Sequence, residues 1–269
     1  MGTPSLRLVD RRWFLTQTGR GVLGIAVLGL AACSGSGSEG GTAPADTADE
    51  PTEAGGSGSP SAEASEPSGD AEAGGGLEWS RVDLGFVSAY VLVRGREAAV
   101  VDTGVGGSAD AIGAVLDEAG PGWAGVRHVV LTHKHPDHAG SVGDVLTEAT
   151  GATGYVGRAD LPEVDAPRAL KVLEDGDDVL GLRIVATPGH TAGHLAVFDE
   201  DTGVLVAGDA LNNDGRLSGS NPQFTEDDAA AAASVRVLVD LAPRTILVGH
   251  GPPVLDGAAD ALRQLADSL

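Results

Sequence analysis

The chain of 269 residues has a single cysteine, Cys33, which rules out an internal disulfide and any cluster of thiolate ligands. Aromatic residues make up only 3% of it, so a core must be built from Val, Leu, Ile and Ala. Bases are scarce too: 17 Lys and Arg stand against 39 Asp and Glu, a formal net charge of −22. Such a surface repels phosphate backbones, and no nucleic-acid partner is expected. An uninterrupted apolar run, Gly21 to Ala32, would reach roughly 18 Å as a helix, well short of the ~30 Å hydrocarbon core of a bilayer. No GxSxG occurs, so a serine-hydrolase elbow is unsupported.

The N-terminus has the layout of a signal peptide over residues 1–32: a basic start, an apolar run, then small residues before a cut. Arg11-Arg12 followed by Trp13-Phe14-Leu15 resembles a twin-arginine export signal, departing from it at Asp10 and Thr16. Leu30-Ala31-Ala32-Cys33 resembles a bacterial lipobox, which implies cleavage before Cys33 and lipid on its sulfur. Residues 33–76 then form a linker. From Ser34 on it has nine acids, no bases and no large apolar side chain, too little apolar surface to offset ordering entropy. The expectation is an exported protein anchored to the outer face of the membrane through Cys33.

Residues 77–269 alternate short apolar runs with helical patterns. "AYVLV", "AAVVD", "VRHVVLT", "ATGYVG", "LRIVATP", "LAVFD", "GVLVAGD" and "TILVGH" read as strands, with "DEDTG" as a hairpin turn. "SADAIGAVLDEAG", "AGSVGDVLTEATG", "EDDAAAAASVRVLVDLA" and "AADALRQLADSL" read as helices. Mixed strands with helices between them predict a layered α/β domain. "GVGGSA", Gly104 to Ala109, has a dinucleotide-binding shape, but no acid ends the next strand, so that reading fails.

Three of the chain's seven histidines and one aspartate fall within six positions, His133-Lys134-His135-Pro136-Asp137-His138, directly after a strand. Imidazole and carboxylate are good ligands for Zn²⁺ and similar ions. A tight turn lets His133 and His135 reach one point while Asp137 and His138 face another. Further ligands come from distant strand ends and loops: His190 after "IVATPG", Asp209 after "VLVAG" with nothing regular following it, and His250 after "ILVG". Two ions sharing a carboxylate would use all seven side chains. His128, inside a strand, reads as structural, and Lys134 is expected to point outward.

The hexapeptide resembles the signature of the metallo-β-lactamase superfamily. "TPGHTAGH", "GD" at Gly208-Asp209 and "GHG" at Gly249–Gly251 are similar to its later motifs, and "VDTG", Val101–Gly104, to an early one. The resemblance covers 77–269 and implies an αββα sandwich with the metals at the edge between two sheets. It implies that Asp209 bridges, that Asp102 supports the site from behind its ligands, and that His194 supports rather than ligates. Two Zn²⁺ are the implied cofactors, with Fe or Mn as alternatives. A water held by such an ion falls from pKa ~15.7 to roughly 7 and attacks a carbonyl as hydroxide. The ion on His133, His135 and His190 would polarise the carbonyl oxygen; the ion on Asp137, His138 and His250 would orient the attack, with Asp137 a candidate catalytic proton acceptor.

Asp209 stands where one β-lactamase subclass has a cysteine, which brings the chain closer to glyoxalase II-like thioesterases and lactonases. Only 19 residues follow His250, so the glutathione-binding helices of glyoxalase II are expected to be missing. The leading expectation is a zinc hydrolase for a small ester, thioester or lactone substrate. Alternatives are a β-lactam-hydrolysing enzyme, an iron-dependent persulfide dioxygenase on the same fold, and a lipoprotein without catalysis.

Overall fold

The computed structural model describes residues 76–269. The signal peptide, Cys33 and all but the last residue of the linker lie outside the described residues. Among the described residues no helix is long and apolar enough to cross a membrane.

Two sheets form the centre. The first runs β1 (Glu78–Asp83), β2 (Ser88–Arg94), β3 (Glu97–Val101), β4 (Val126–Val130), β5 (Thr153–Gly157) and β6 (Lys171–Leu173), in chain order. The second has the order β13 (Thr245–Val248), β10 (Val204–Gly208), β9 (Leu195–Asp199), β8 (Leu182–Ala186), β7 (Asp178–Val179). β11 (Leu211–Asn213) and β12 (Leu217–Gly219) form a separate two-stranded hairpin whose Leu211 and Leu217 pack with the second sheet.

Alternation along the strands sorts side chains into three apolar layers. In β2, Ala89 and Val91 face outward onto α1 (Ala109–Ala119) and α4 (Val142–Glu148), packing with Ile112, Leu116, Val145 and Leu146. Tyr90 and Leu92 face inward and meet Ile184, Val197 and Val206 of the second sheet. On the far side Phe198, Leu205 and Ile246 pack under α5 (Asp228–Val239) and α6 (Ala258–Ala266), against Val235, Leu238 and Leu262. Helices therefore cover both outer faces, and the αββα sandwich expected from the motifs is the observed architecture. The central strands read as nearly continuous apolar runs because both of their faces are buried.

The helix boundaries follow local chemistry. Gly120 ends α1 in the left-handed conformation, its N–H bonded to the Leu116 carbonyl. Asp227 caps α5 by accepting from the Ala230 N–H. The helix expected after the histidine cluster is instead two: α3 (Pro136–Ala139) begins inside the motif, with Pro at its first position, and α4 follows. A short α2 (Gly122–Gly125) precedes β4.

Candidate metal centre

The seven candidate ligands converge where strand ends of the two sheets meet. β4 stops at Val130, two residues earlier than the apolar run, and Leu131 continues toward β5 through its N–H to the Tyr155 carbonyl at 2.9 Å. His133 and His135 follow, and α3 carries Asp137 and His138. Asp209 follows β10 directly, and His250 lies two residues beyond β13. The loops are joined through backbone: Leu195 N–H to the Thr132 carbonyl at 2.8 Å, Gly249 N–H to that of Gly208 at 3.1 Å, Asn213 N–H to that of His250 at 3.0 Å. Asp209 is not followed by irregular chain, as its sequence context implied: β11 starts at Leu211 and its last residue, Asn213, holds the His250 loop.

Two triads result. His133 Nε2 lies 3.0 Å from His135 Nδ1, which lies 2.9 Å from His190 Nε2. In the second, Asp137 Oδ2 is 3.4 Å from His250 Nε2 and 3.9 Å from His138 Nε2. Asp209 touches both: Oδ1 is 3.2 Å from His138 Nε2, and Oδ2 is 3.5 Å from His190 Nε2 and 3.1 Å from His250 Nε2. Within each triad, and within His133, His138 and Asp209, the ligand atoms lie no more than 4.8 Å apart. Asp209 is buried, yet its Oδ1 has no hydrogen-bond partner. Imidazole lone pairs aimed at one another around a buried, underused carboxylate oxygen are satisfied by a cation, so the donor set fits divalent metals.

The charges tell the same story. Burial pushes His133 well below its usual range and His190 down to about 4, so both are neutral and able to ligate. Burial works against charge on His138 as well, but the Asp209 and Asp102 carboxylates outweigh it and lift His138 well above 6.5. Hydrogen bonds to Asp137 and Asp209 raise His250 to about 10. Burial opposes ionisation of Asp209, and His138 beside it wins, holding the carboxyl well below the usual range. Without a metal, two protonated imidazoles supply the positive charge that the carboxylates require.

Asp102 supports this arrangement. Its backbone is in the left-handed region at φ 63°, and its side chain is buried. Oδ1 accepts the Thr132 N–H at 2.7 Å, and Oδ2 pairs with His138 Nδ1 at 2.8 Å, which leaves His138 Nε2 facing the centre. The Phe86 carbonyl does the same for His250, taking Nδ1 at 2.7 Å while its ring stacks on the imidazole. Gly249 is demanded by the site: a Cβ there would collide with Asp209 Oδ1 and His138 Cε1.

Residues 82–250 match the family model described as metallo-beta-lactamase superfamily. The chain belongs to that superfamily. Over 152 residues it is 38% identical to the hydroxyacylglutathione hydrolase of Ectopseudomonas mendocina (strain ymp), covering 52% of this chain and 53% of the relative. It thus spans about half the length of that enzyme. It is 29% identical over 204 residues to the probable metallo-hydrolase YflN of Bacillus subtilis (strain 168), covering 58% of this chain and 75% of YflN. A solved metallo-beta-lactamase family protein of Thermus thermophilus aligns with a TM-score of 0.58 at 28% identity, over 72% of this chain and 77% of that one. The chain is accordingly a metallo-beta-lactamase superfamily enzyme of the hydrolase type, with histidine and aspartate groups that could hold metal.

Of the other residues around this superfamily site, His194 and His128 behave as the sequence suggests and Lys134 does not. His194 is buried, accepts the Asp209 N–H on Nε2 at 3.1 Å and pairs through Nδ1 with Thr187 Oγ1 at 2.7 Å, so it supports Asp209 and lies outside both triads. His128 pairs with Tyr155 at 3.2 Å inside the first sheet. Lys134 does not point freely into solvent. Its ammonium is held by Glu163 at 2.5 Å and Glu226 at 2.8 Å, with only 14% of the side chain exposed. Glu226 in turn accepts the Ala192 N–H, and its own N–H bonds the Gly189 and His190 carbonyls. Nothing in the local sequence marks Glu163, Glu226 or the buried Asp160 among so many surface acids.

Proposed function

We propose that this chain is a dinuclear zinc-dependent hydrolase that opens an ester, thioester or lactone carbonyl. One observation carries the reading: two triads of ligand atoms share the buried carboxylate of Asp209. His133, His135 and His190 would hold one ion and Asp137, His138 and His250 the other, with Asp209 between them. When bound, the metal pair would supply Lewis acidity toward a carbonyl oxygen and lower the pKa of water near 7. The protein does the rest. Asp102 and the Phe86 carbonyl fix the tautomers of His138 and His250. Asp137, with 28% of its side chain exposed, is open to substrate, and its carboxylate, which His250 keeps ionised, is the candidate acceptor for the proton of the attacking water. The relatedness to a hydroxyacylglutathione hydrolase supports acyl chemistry, and a carboxylate at Asp209 in place of a thiolate supports the thioesterase and lactonase side over β-lactams. The same reading places the enzyme outside the cell, held by lipid on Cys33; that part rests on the sequence of the first 33 residues.

The test is metal content together with a substrate panel. Full-length protein reconstituted with zinc should hold about two ions per chain. It should hydrolyse at least one of an aryl ester, an acyl thioester and a lactone, and leave a β-lactam untouched. Less than about half an equivalent of metal overturns the reading. So does a preference for the β-lactam, or an iron-loaded form that consumes oxygen and hydrolyses nothing.

A further inference from the structure

Asp160 lies beyond the end of β5, fully buried, and the donors that reach its carboxylate are uncharged: two backbone N–H groups and a hydroxyl. A buried carboxylate is costly unless hydrogen bonds replace its hydration. These three donors do so, and each belongs to a loop that carries a histidine of the first triad. Oδ2 accepts the Lys134 N–H at 3.0 Å, between His133 and His135. It also accepts the Thr191 hydroxyl at 2.6 Å, next to His190. Oδ1 accepts the Gly193 N–H at 2.8 Å. The approach is close enough that a Cβ on Gly193 would stand 2.6 Å from Oδ1 and 2.5 Å from the Asp160 nitrogen, so glycine is required there. The next turn adds Glu163, whose carboxylate holds the Lys134 ammonium.

We infer that Asp160 is a positioning residue for the three-histidine metal site, fixing the two loops that present His133, His135 and His190. The inference rests on the dinuclear reading above and deepens it, because the two halves of the centre then have separate supports. Asp102 grips Thr132 and His138, and so acts chiefly on the second triad. Asp160 touches neither Asp137, His138 nor His250. It acts through backbone and a hydroxyl, and touches neither substrate nor ligand side chains. Replacing its carboxylate by an amide turns one acceptor into a donor facing N–H and O–H donors, which must spread the two loops.

Zinc affinity of the full-length chain, measured by competition with a chromophoric chelator, tests this in two backgrounds. His250→Ala leaves the three-histidine site, and His190→Ala leaves the other. Asp160→Asn should weaken zinc binding about 10- to 100-fold in the first background and by less than about threefold in the second. A general loss of stability would move both alike. Equal weakening in both, or none in the His250→Ala background, overturns the inference. If Asp160→Asn does not fold, Thr191→Val, which deletes only the hydroxyl contact, decides the same comparison, with a loss of roughly 3- to 10-fold expected in the first background alone. Unaltered protein that binds no zinc would instead overturn the dinuclear reading, and this inference with it.

Discussion

At Asp209 four imidazoles meet one carboxylate, and the proton count there follows from the local fields. His133 and His190 are neutral because burial penalises their charged forms. Asp137 and Asp209 are already ionised, held low by the neighbouring imidazoles. The displaceable protons are those on His138 and on His250, the latter with a pKa of about 10. Metal binding should therefore release at least about two protons per chain. A group with a raised pKa stays protonated up to that value, so release from His250 persists at about pH 8.5, where an unperturbed histidine has nothing left to give. Calorimetry in buffers of different ionisation enthalpy reads this directly; zinc binding at that pH without proton release would show that carboxylates do not hold these imidazoles charged. The candidate ligands that the structure brings together were legible in the sequence, since four sit in one hexapeptide and the others punctuate apolar runs. Asp160, Glu226 and the tautomer-fixing carbonyl of Phe86 were not, because their roles exist only once remote loops touch.

Between elements, polar contacts lock the sheets together at two ends. The buried Tyr90 of β2 donates its hydroxyl to the Val248 carbonyl of β13 at 2.8 Å, one residue from Gly249 and the His250 loop. At the opposite end Arg94 pairs with Asp199 of β9 at 2.5 Å. Burial raises the Tyr90 phenol, so it remains a donor at every working pH. Tyr90→Phe keeps the ring and removes only this bond. It should cost about 1 kcal/mol, which for a domain of this size lowers Tm by roughly 2–4 °C. A scan of the metal-free protein measures it; an unchanged Tm would mean that Val248 finds water instead. The long strands were evident as apolar runs. The missed ones, β1, β6, β7, β11 and β12, are polar or only two or three residues long at sheet edges or in the hairpin. Pairing with a neighbour, not side-chain pattern, makes them strands.

At the scale of the whole molecule, architecture follows from motif order, whereas location rests on the first 33 residues alone. Arg11-Arg12, the glycine-interrupted run Gly21–Ala32 and one cysteine ending "LAAC" occur together in a chain whose proposed dinuclear site would need seven correctly placed ligands. Twin-arginine export, which the first of these resembles, carries folded cargo. An enzyme that acquires metal before crossing the membrane avoids selecting its ion outside, where affinity order rather than supply would decide. Nine acids between Ser34 and Gly76, with no base among them, would then repel an anionic surface and hold the domain off it. Two substitutions separate the steps. Cys33→Ser should abolish lipid labelling and leave the protein unprocessed or loosely held. Arg11→Lys with Arg12→Lys should retain it inside, folded and metal-loaded, because both substitutions lie outside residues 82–250, which match the family. Fractionation of cells expressing the double lysine variant decides the matter. Delivery to the surface at the parental level would mean that the chain crosses unfolded by the general route and takes up its metal afterwards.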